Sequence, residues 1–219
     1  MKKIRLILFL FLLASAVCAQ QQPPFWNDIQ AFKKQDSISP LPKNAILFVG
    51  SSSFTNWKDV QDYFTGYTII NRGFGGSSMP DVIRYADDII FLYKPKQVVI
   101  YCGENDLAVS DTVTGELVYK RFMTLFEMIR KNLPNVPVVF VSLKPSLSRW
   151  HLRQKMMTAN ELIKDFLKKR SGTAFVDVYN KMLNAERTPI KEIFLKDSLH
   201  MNAKGYVIWQ KSIKSYLLK

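Results

Sequence analysis

The sequence predicts an α/β fold in which helices cover both faces of a five-stranded parallel sheet, a three-layer α/β/α sandwich. Short apolar runs rich in Val and Ile recur along the chain, and helical patterns separate them. The chain has 219 residues with 47% hydrophobic content, which suffices for one sizeable core but hardly for two domains. The predicted strands span residues 45–49, 68–70, 97–101, 136–143 and 173–178.

The first 19 residues differ from the rest of the chain. Three basic residues precede the apolar run 6–13, and small residues follow at 17–19, a pattern typical of a signal peptide. We expect cleavage after Ala19 and export to the periplasm or the medium. We favour this over lipoprotein anchoring at Cys18, because the residue before Cys18 fits that pattern poorly. The apolar run is shorter than the roughly 20 residues of a membrane span, so we expect no stable span after cleavage, with an uncleaved anchor as the alternative.

After the signal peptide, residues 20–44 are predicted to form an N-terminal linker with a short helix, and residues 45–219 to form one globular domain. Cleavage would leave Cys102 as the one cysteine, so no disulfide could form within the chain. Cys102 lies in an apolar strand pattern, and we expect it to be a buried small hydrophobe.

The chain is basic, with a formal charge of +13. Without residues 1–19 there remain 28 basic and 18 acidic side chains, a net charge of +10. The lysines are scattered, and no motif interleaves them with aromatic residues as single-strand binders require. We therefore expect a solvated basic surface and no nucleic-acid partner. Binding of an anionic polymer is the alternative, and it would depend steeply on salt.

Helical spacing appears in the crossovers that follow the second, third and fourth strands, and again in the last helix. Between the second and third strands, Ser78 and Asp81 form a capping-box pattern ahead of one apolar helix face, and Asn202 is a plausible N-cap for the last helix. The predicted apolar faces are Ile83, Ala86, Ile90 and Tyr93; Val118, Phe122, Leu125, Ile129 and Leu133; Met156, Ala159, Ile163 and Phe166; and Tyr206, Trp209, Ile213 and Leu217.

Polar segments follow three of the strands and precede the last helix. Residues 50–53, 71–78 and 103–106 come directly after the first three strands. An open parallel sheet binds its ligand where the carboxyl ends of its strands meet. Each segment alone is typical of a turn or a helix cap, but their placement at successive strand ends favours a functional site there.

Serine, histidine and aspartate in these segments suggest nucleophilic chemistry, because a serine hydroxyl needs a base within hydrogen-bond reach. The chain has two histidines, His151 and His200. Asp197 precedes His200 by three residues and could hold its second ring nitrogen, whereas His151 has no carboxylate nearby in sequence. Backbone near the glycines at 73, 75 and 76 and the Asn105 amide could donate to a developing oxyanion. No cluster has metal-ligand spacing, and we expect no metal or cofactor.

Four segments together resemble the four signature blocks of the SGNH (GDSL) hydrolases, in the family's order. They are Gly50-Ser51-Ser52-Ser53, Asn71-Arg72-Gly73-Phe74-Gly75-Gly76, Gly103-Glu104-Asn105-Asp106 and Asp197-Ser198-Leu199-His200. The resemblance covers residues 45–217 and is most similar to the branch that includes the platelet-activating-factor acetylhydrolase alpha subunits. It implies a flavodoxin-like fold and makes residues 45–219 an SGNH hydrolase domain.

Carried over by position, the resemblance implies that Ser52 is the nucleophile, His200 the base and Asp197 the group that orients the imidazole. The implied oxyanion hole consists of the Ser52 and Gly76 backbone N–H groups and the Asn105 side chain. The implied activity is that of an exported serine esterase that hydrolyses carboxylic esters, such as acetyl esters of carbohydrates or lipid esters. No cofactor or metal is required.

One position departs from the family pattern, since Ser51 stands where the family has aspartate. Ser51, Ser52 and Ser53 are therefore adjacent candidates, of which alignment on Gly50 favours Ser52. The alternative function is a catalytically inactive carbohydrate- or lipid-binding module on the same fold.

Weaker hypotheses concern side chains around the site. Glu104 and Asp106 are expected to support Asn105, and Lys144-Pro145-Ser146 either lines the cleft or forms a simple turn. The proposed walls of the substrate pocket are Phe54, Trp57, Phe74 and Leu107.

Overall fold

The computed structural model describes residues 22–219, which contain a five-stranded, all-parallel sheet. The strands are β1 Ile46–Gly50, β2 Ile69–Gly73, β3 Gln97–Tyr101, β4 Val138–Val141 and β5 Thr173–Val176. Their order in the sheet is β2-β1-β3-β4-β5, the flavodoxin-like order. The predicted α/β class is confirmed. The signal peptide predicted at residues 1–19 lies outside the described residues.

The strand order places a switch point between β1 and β3, because the chain moves outward from β1 to β2 and then crosses back to β3. Gly50 pairs with Gly73 of β2 and with Tyr101 of β3. These three strands therefore end at the same level, and the loops that follow them lie side by side.

Nine α-helices occur within residues 22–219. They are α1 Trp26–Ile38, α2 Ser52–Thr55, α3 Val60–Tyr63, α4 Met79–Arg84, α5 Ala86–Ile89, α6 Glu104–Val109, α7 Gly115–Asn132, α8 Arg153–Lys168 and α9 Ala203–Ile213. Short 3₁₀ turns lie at Phe91–Tyr93, Trp150–Leu152, Asn180–Met182, Lys191–Ile193 and Lys214–Tyr216. Over this same stretch, no helix combines the length and the apolar character needed to cross a bilayer.

Two apolar cores cover the two faces of the sheet, because alternate side chains of a strand point to opposite faces. From β1, Leu47 and Val49 pack with residues of α1, α4, α5, α7 and α8. Ile46 and Phe48 pack instead with residues of α2, α3 and α9. This arrangement confirms the predicted three layers.

The helical segment between β2 and β3 differs from the prediction of one continuous helix. It is divided into α4, α5 and the 3₁₀ turn Phe91–Tyr93, with Tyr85 at φ −103° and ψ 14° between the first two. The Tyr85 hydroxyl donates a hydrogen bond to the Pro24 carbonyl at 2.7 Å, so this break lies against the N-terminal segment. The predicted capping box of Ser78 and Asp81 is present.

The predicted linker region contains α1, which is tied to the sheet. Asp36 of α1 forms a partly buried ion pair with Arg72 of β2. The Arg72 guanidinium also lies 5.0 Å from the centres of the Phe32 and Tyr93 rings. These contacts anchor α1 beside the strand that leads to the glycine-rich loop.

Candidate active site

The turn between β1 and α2 depends on Gly50. Its φ is +142°, and a β-carbon there would lie 1.9 Å from the Tyr101 carbonyl oxygen, so glycine alone fits. The Ser51 carbonyl then accepts hydrogen bonds from the N–H groups of Phe54 at 2.9 Å and Thr55 at 3.2 Å. The chain passes from a buried strand into a helix within one residue, and Ser52 is the first residue of that helix.

The three adjacent serines differ in their access to solvent. Ser51 is 2% exposed and Ser53 is 3% exposed, whereas Ser52 is partly exposed. Within residues 22–219, the Ser52 hydroxyl has no hydrogen-bond partner, and the Ser51 side chain does not cap α2. Of the three serines, Ser52 is therefore the one that a substrate can reach.

The loops after β2 and β3 are hydrogen-bonded to the turn that carries Ser52. The Gly50 carbonyl accepts from the Phe74 N–H at 2.9 Å and from Ser77 Oγ at 3.2 Å. On the other side, the Ser51 N–H donates to the Tyr101 carbonyl at 3.0 Å. The nucleophile candidate thus lies between two loops that the sheet holds in register.

The three predicted oxyanion donors lie on these loops. The backbone N–H groups of Ser52 and Gly76 donate no hydrogen bond to any atom of residues 22–219. Gly76 is exposed and has a φ of +84°, a conformation that favours glycine. Asn105 Nδ2 donates one hydrogen bond to the Ser77 carbonyl at 2.9 Å, and its second hydrogen is available to a ligand.

Asp197 and His200 form a hydrogen-bonded pair in the loop before α9. His200 Nδ1 lies 2.6 Å from Asp197 Oδ2. Asp197 Oδ1 accepts from the N–H groups of Leu199 at 2.9 Å and His200 at 3.0 Å. Ser198 turns the chain with a φ of +57°. The predicted spacing of Asp197 and His200 therefore closes a tight loop around one carboxylate.

The surroundings of Asp197 favour its charged form. Partial burial raises the pKa of Asp197. Hydrogen bonds from the His200 ring and from the Leu199 and His200 N–H groups outweigh this effect and lower the pKa from 3.8 to about 2. An ionised Asp197 accepts a hydrogen bond from Nδ1–H of His200. That tautomer leaves Nε2 free to accept a proton.

Asn202 holds this loop against the start of α9. Its Oδ1 accepts from the N–H groups of Lys204 at 2.9 Å and Gly205 at 3.4 Å, as predicted for an N-cap. Its Nδ2 donates to the carbonyls of Glu192 at 2.9 Å and Phe194 at 3.2 Å. One side chain thus joins the helix to the segment that precedes Asp197.

Contacts between α9 and α2 bring the two halves of the site to the same face of the sheet. The Tyr206 hydroxyl donates to the Ser53 carbonyl at 3.0 Å, and the Tyr206 ring stacks on Trp57 with 4.8 Å between centres. No hydrogen bond joins Ser52 Oγ to His200 within residues 22–219. Catalytic hydrogen bonds often tighten only when substrate is bound.

The second histidine has no such partner. His151 is exposed in the 3₁₀ turn Trp150–Leu152, and it forms no ion pair with a carboxylate of the described chain. In the same part of the chain, no group of three His, Cys, Asp or Glu residues could hold a metal ion.

A buried ionic cluster lies beneath the loop after β3. Glu104 and Lys144 are almost fully buried, and Lys144 Nζ lies 2.9 Å from Glu104 Oε2. Arg149 Nη1 lies 3.2 Å from Glu104 Oε1, and the Tyr101 hydroxyl donates to Glu104 at 2.5 Å. Burial raises the pKa of Glu104, but the charges of Lys144 and Arg149 outweigh it and lower the pKa below its usual value.

This cluster was only partly predicted. The sequence predicts that Glu104 supports Asn105 and that Lys144 either lines the cleft or lies in a turn. Sequence reasoning gave Arg149 no role. A glutamate next to a predicted buried strand needs a cationic partner, but its two partners, Lys144 and Arg149, lie forty or more positions away in the chain.

Asp106 supports the same loop from the opposite face of the sheet. Its Oδ2 accepts from the Met79 N–H at 2.8 Å, and its Oδ1 accepts from Arg121 at 2.6 Å. Burial raises the pKa of Asp106 despite these hydrogen bonds. The side chain joins α6 to the start of α4 and to α7.

The predicted walls of a substrate pocket are not at the surface. Phe54, Trp57 and Phe74 are fully buried, and Leu107 is 1% exposed. Phe54 and Trp57 pack in the aromatic core under α2 and α9. Phe74 and Leu107 pack in the core on the other face. The expectation that they line the substrate pocket is wrong, because each is used to close the core.

Comparison with known proteins identifies one matching family. The profile of the GDSL-like Lipase/Acylhydrolase family matches residues 42–208 of the chain. No curated protein sequence matches it.

Solved structures share the fold at low sequence identity. A protein from Streptococcus pneumonia, provisionally named a platelet activating factor, superposes with a TM-score of 0.76 at 22% identity, over 88% of this chain and 92% of its own. A GDSL-like lipase from Bacteroides thetaiotaomicron gives a TM-score of 0.73 at 20% identity, over 86% and 96% of the two chains. A carbohydrate esterase family 3 protein from Talaromyces cellulolyticus gives 0.64 at 14% identity, over 78% and 95%.

Proposed function

The chain belongs to the GDSL-like lipase/acylhydrolase family, a family of ester-hydrolysing enzymes, and from that membership we propose an exported serine esterase with Ser52, His200 and Asp197 as its catalytic residues. The observation that carries the proposal is the setting of Ser52. It is the accessible serine of three, at the end of β1, between two loops that offer unpaired hydrogen-bond donors.

In the first half of the reaction, Ser52 Oγ attacks the ester carbonyl while Nε2 of His200 takes its proton. Asp197 holds the imidazole through Nδ1 and stabilises the cation that forms. The carbonyl oxygen becomes an oxyanion that accepts from the Ser52 and Gly76 N–H groups and from Asn105 Nδ2. His200 then protonates the departing alcohol, and an acyl group remains on Ser52.

In the second half, His200 removes a proton from water, and the resulting hydroxide attacks the acyl carbonyl. The same three donors stabilise the second oxyanion. Collapse of this intermediate releases the carboxylic acid and returns the proton from His200 to Ser52. Every proton transfer uses His200, and no metal or cofactor enters.

The substrate we propose is an ester with a short acyl group, with acetylated carbohydrates ranked ahead of lipid esters. The burial of Phe54, Trp57, Phe74 and Leu107 supports this, because none of these four side chains is available at the surface to hold a long acyl chain. One of the similar folds is named a carbohydrate esterase, in line with this ranking.

The test uses separate alanine variants of Ser51, Ser52 and Ser53 with a fluorophosphonate probe and nitrophenyl acetate. Ser52→Ala should abolish both labelling and turnover, with kcat falling by about 10⁶-fold as in other serine hydrolases. Ser51→Ala and Ser53→Ala are the matched controls and should still be labelled. Labelling that survives in Ser52→Ala would refute the assignment of the nucleophile.

Substrate class is tested with acetylated xylan, a lysophospholipid and a series of nitrophenyl esters of increasing acyl length. We expect kcat/KM to be highest for acetyl and to fall as the chain lengthens. If wild type and Ser52→Ala were equally inactive across the whole series, the alternative of an inactive carbohydrate- or lipid-binding module would replace the esterase.

A further inference from the structure

The orientation of the Asn105 amide is determined by two contacts of opposite kind. Its Oδ1 accepts a hydrogen bond from Arg149 Nη1 at 2.9 Å, and its Nδ2 donates to the Ser77 carbonyl at 2.9 Å. A guanidinium can only donate and a carbonyl can only accept, so the reversed amide would lose both hydrogen bonds. Arg149 and the Ser77 carbonyl therefore together fix which end of the amide faces the oxyanion position.

Arg149 is itself held in place. Its Nη1 also lies 3.2 Å from Glu104 Oε1, and its side chain is 19% exposed. Lys144 Nζ neutralises the same carboxylate at 2.9 Å. The two cations and one carboxylate leave a net positive charge next to Asn105, close to where negative charge would develop.

We propose that Arg149 is a positioning residue for the oxyanion hole, which orients and polarises the Asn105 amide while Glu104 and Lys144 hold its guanidinium in place. A hydrogen bond from a cation to Oδ1 draws electron density from the amide and strengthens the Nδ2–H donor. The stabilisation grows as the oxyanion forms, so it acts on the transition state rather than on substrate binding.

This inference rests on the proposed function, because it needs an oxyanion that accepts from Asn105. It predicts that Arg149→Met lowers kcat for nitrophenyl acetate by about 10- to 100-fold, the range found when groups that orient metal ligands are removed. KM for this neutral ester should not change. Asn105→Ala should lower kcat by about 100- to 1,000-fold.

A double-mutant cycle separates action through Asn105 from other effects. If Arg149 acts through Asn105, then Arg149→Met should have no further effect in the Asn105→Ala background. Equal and additive losses in both backgrounds would overturn the proposal. A rise in KM with unchanged kcat would also overturn it, because it would make Arg149 a substrate-binding group.

The matched control is Arg153→Met. Arg153 lies four positions further along the chain, where Nη1 donates to the Trp150 carbonyl at 3.2 Å and the guanidinium packs over the Trp150 ring. It does not contact Asn105, and its loss should leave kcat unchanged. An equal fall in kcat for Arg153→Met would overturn the proposal, because the loss would then not depend on contact with Asn105.

Folding of the test variant is expected to persist, since Glu104 keeps Lys144 and Tyr101 as partners after Arg149 is removed. Chemical rescue gives a second measurement. The partial exposure of Arg149 leaves a route for a small cation, so added methylguanidinium should raise kcat of Arg149→Ala but not of Asn105→Ala. Failure of this rescue in a folded Arg149→Ala would count against the proposal.

The experiment also distinguishes failure of this inference from failure of the proposed function. A wild-type protein that turns over nitrophenyl acetate and loses activity in Ser52→Ala, but is unaffected by Arg149→Met, retains the esterase and refutes the role of Arg149. A wild-type protein without turnover refutes both.

Discussion

Asp197 organises its loop with one oxygen and the imidazole with the other. Oδ1 accepts two backbone hydrogen bonds, and Oδ2 faces His200 Nδ1 at 2.6 Å. Asparagine at this position would separate the two functions. Its amide oxygen could still accept the two backbone hydrogen bonds, but it would not supply the negative charge that faces His200.

Replacement of Asp197 by asparagine should lower kcat of the proposed esterase by about 10,000-fold, since the imidazole would lose its charged partner and its required tautomer. The measurement is kcat for nitrophenyl acetate. Asp177→Asn is the control, because Asp177 lies after β5 and contacts Asn180 rather than a histidine. A loss of less than about tenfold in Asp197→Asn would contradict the assignment of the triad.

The same variant tests the lowered pKa of Asp197. A carboxylate whose pKa falls from 3.8 unfolded to about 2 folded stabilises the fold fully above about pH 5, and this stabilisation is lost as the pH falls through about 2. The difference in free energy of unfolding between wild type and Asp197→Asn should be constant above about pH 5 and shrink below it. A difference that grows with acid would contradict the direction of the shift.

Local sequence was sufficient for part of the site and insufficient for the rest. The spacing of Asp197 and His200 predicts their pairing because three residues of chain already bring them together. Burial of Ser51 and Ser53 could not be predicted, because it depends on contacts with distant parts of the chain, such as those of Ser51 with Tyr101 and of Ser53 with Tyr206. Arg149 was missed since its contact with Asn105 spans 44 positions and carries no local pattern.

At the scale of elements, α9 and its cap place one half of the site. Asn202 accepts from two N–H groups of the first turn of α9 and donates to two carbonyls of the preceding segment. The cap therefore joins α9 to the 3₁₀ turn Lys191–Ile193 as well as stabilising its own helix.

Asn202→Ala should lower the free energy of unfolding by about 2 kcal/mol, which is the upper end for a helix cap. Thr114→Ala is the matched control, because Thr114 caps α7 through one hydrogen bond to the Leu117 N–H and should cost about 1 kcal/mol. Urea denaturation followed by circular dichroism measures both. If both variants lost the same free energy of unfolding, the hydrogen bonds donated by Asn202 Nδ2 would contribute nothing to stability.

Strands and helices with a clear hydrophobic pattern were predicted correctly, but several of their end residues were not. β3 has the predicted bounds, Gln97–Tyr101. β4 is shorter than the predicted 136–143, because Pro137 has no N–H to donate and the Leu143 N–H turns away to Asn160 Oδ1 at 2.8 Å. The helix predicted across Ile83 and Tyr93 is broken at Tyr85, although its apolar spacing still identifies the face that packs on the sheet.

At the scale of the whole molecule, the fold and its family follow from four short sequence segments, three of which lie at the ends of β1, β2 and β3. The sheet brings the loops after β1, β2 and β3 side by side, because these three strands end at the same level. The cellular location of the protein is a separate prediction, which rests on the sequence of residues 1–19.

Expression of the full chain in a bacterial host should yield a protein in the periplasm or medium that begins at Gln20, because small residues at 17–19 fit a signal-peptidase site. Intact-mass spectrometry of the exported protein measures this. Cys18→Ser should be processed identically, whereas Ala19→Arg should block cleavage. A mature N-terminus at an acylated Cys18 would contradict the prediction and indicate a lipoprotein.

Cys102, the one cysteine of residues 22–219, lies fully buried with its Sγ 3.8 Å from the Ser77 carbonyl, the same oxygen that receives Asn105 Nδ2. Thiol reagents can reach it only when this junction opens. The rate at which a thiol reagent modifies Cys102 therefore reports how often the loop that carries Asn105 opens. This rate can be measured on the unlabelled protein.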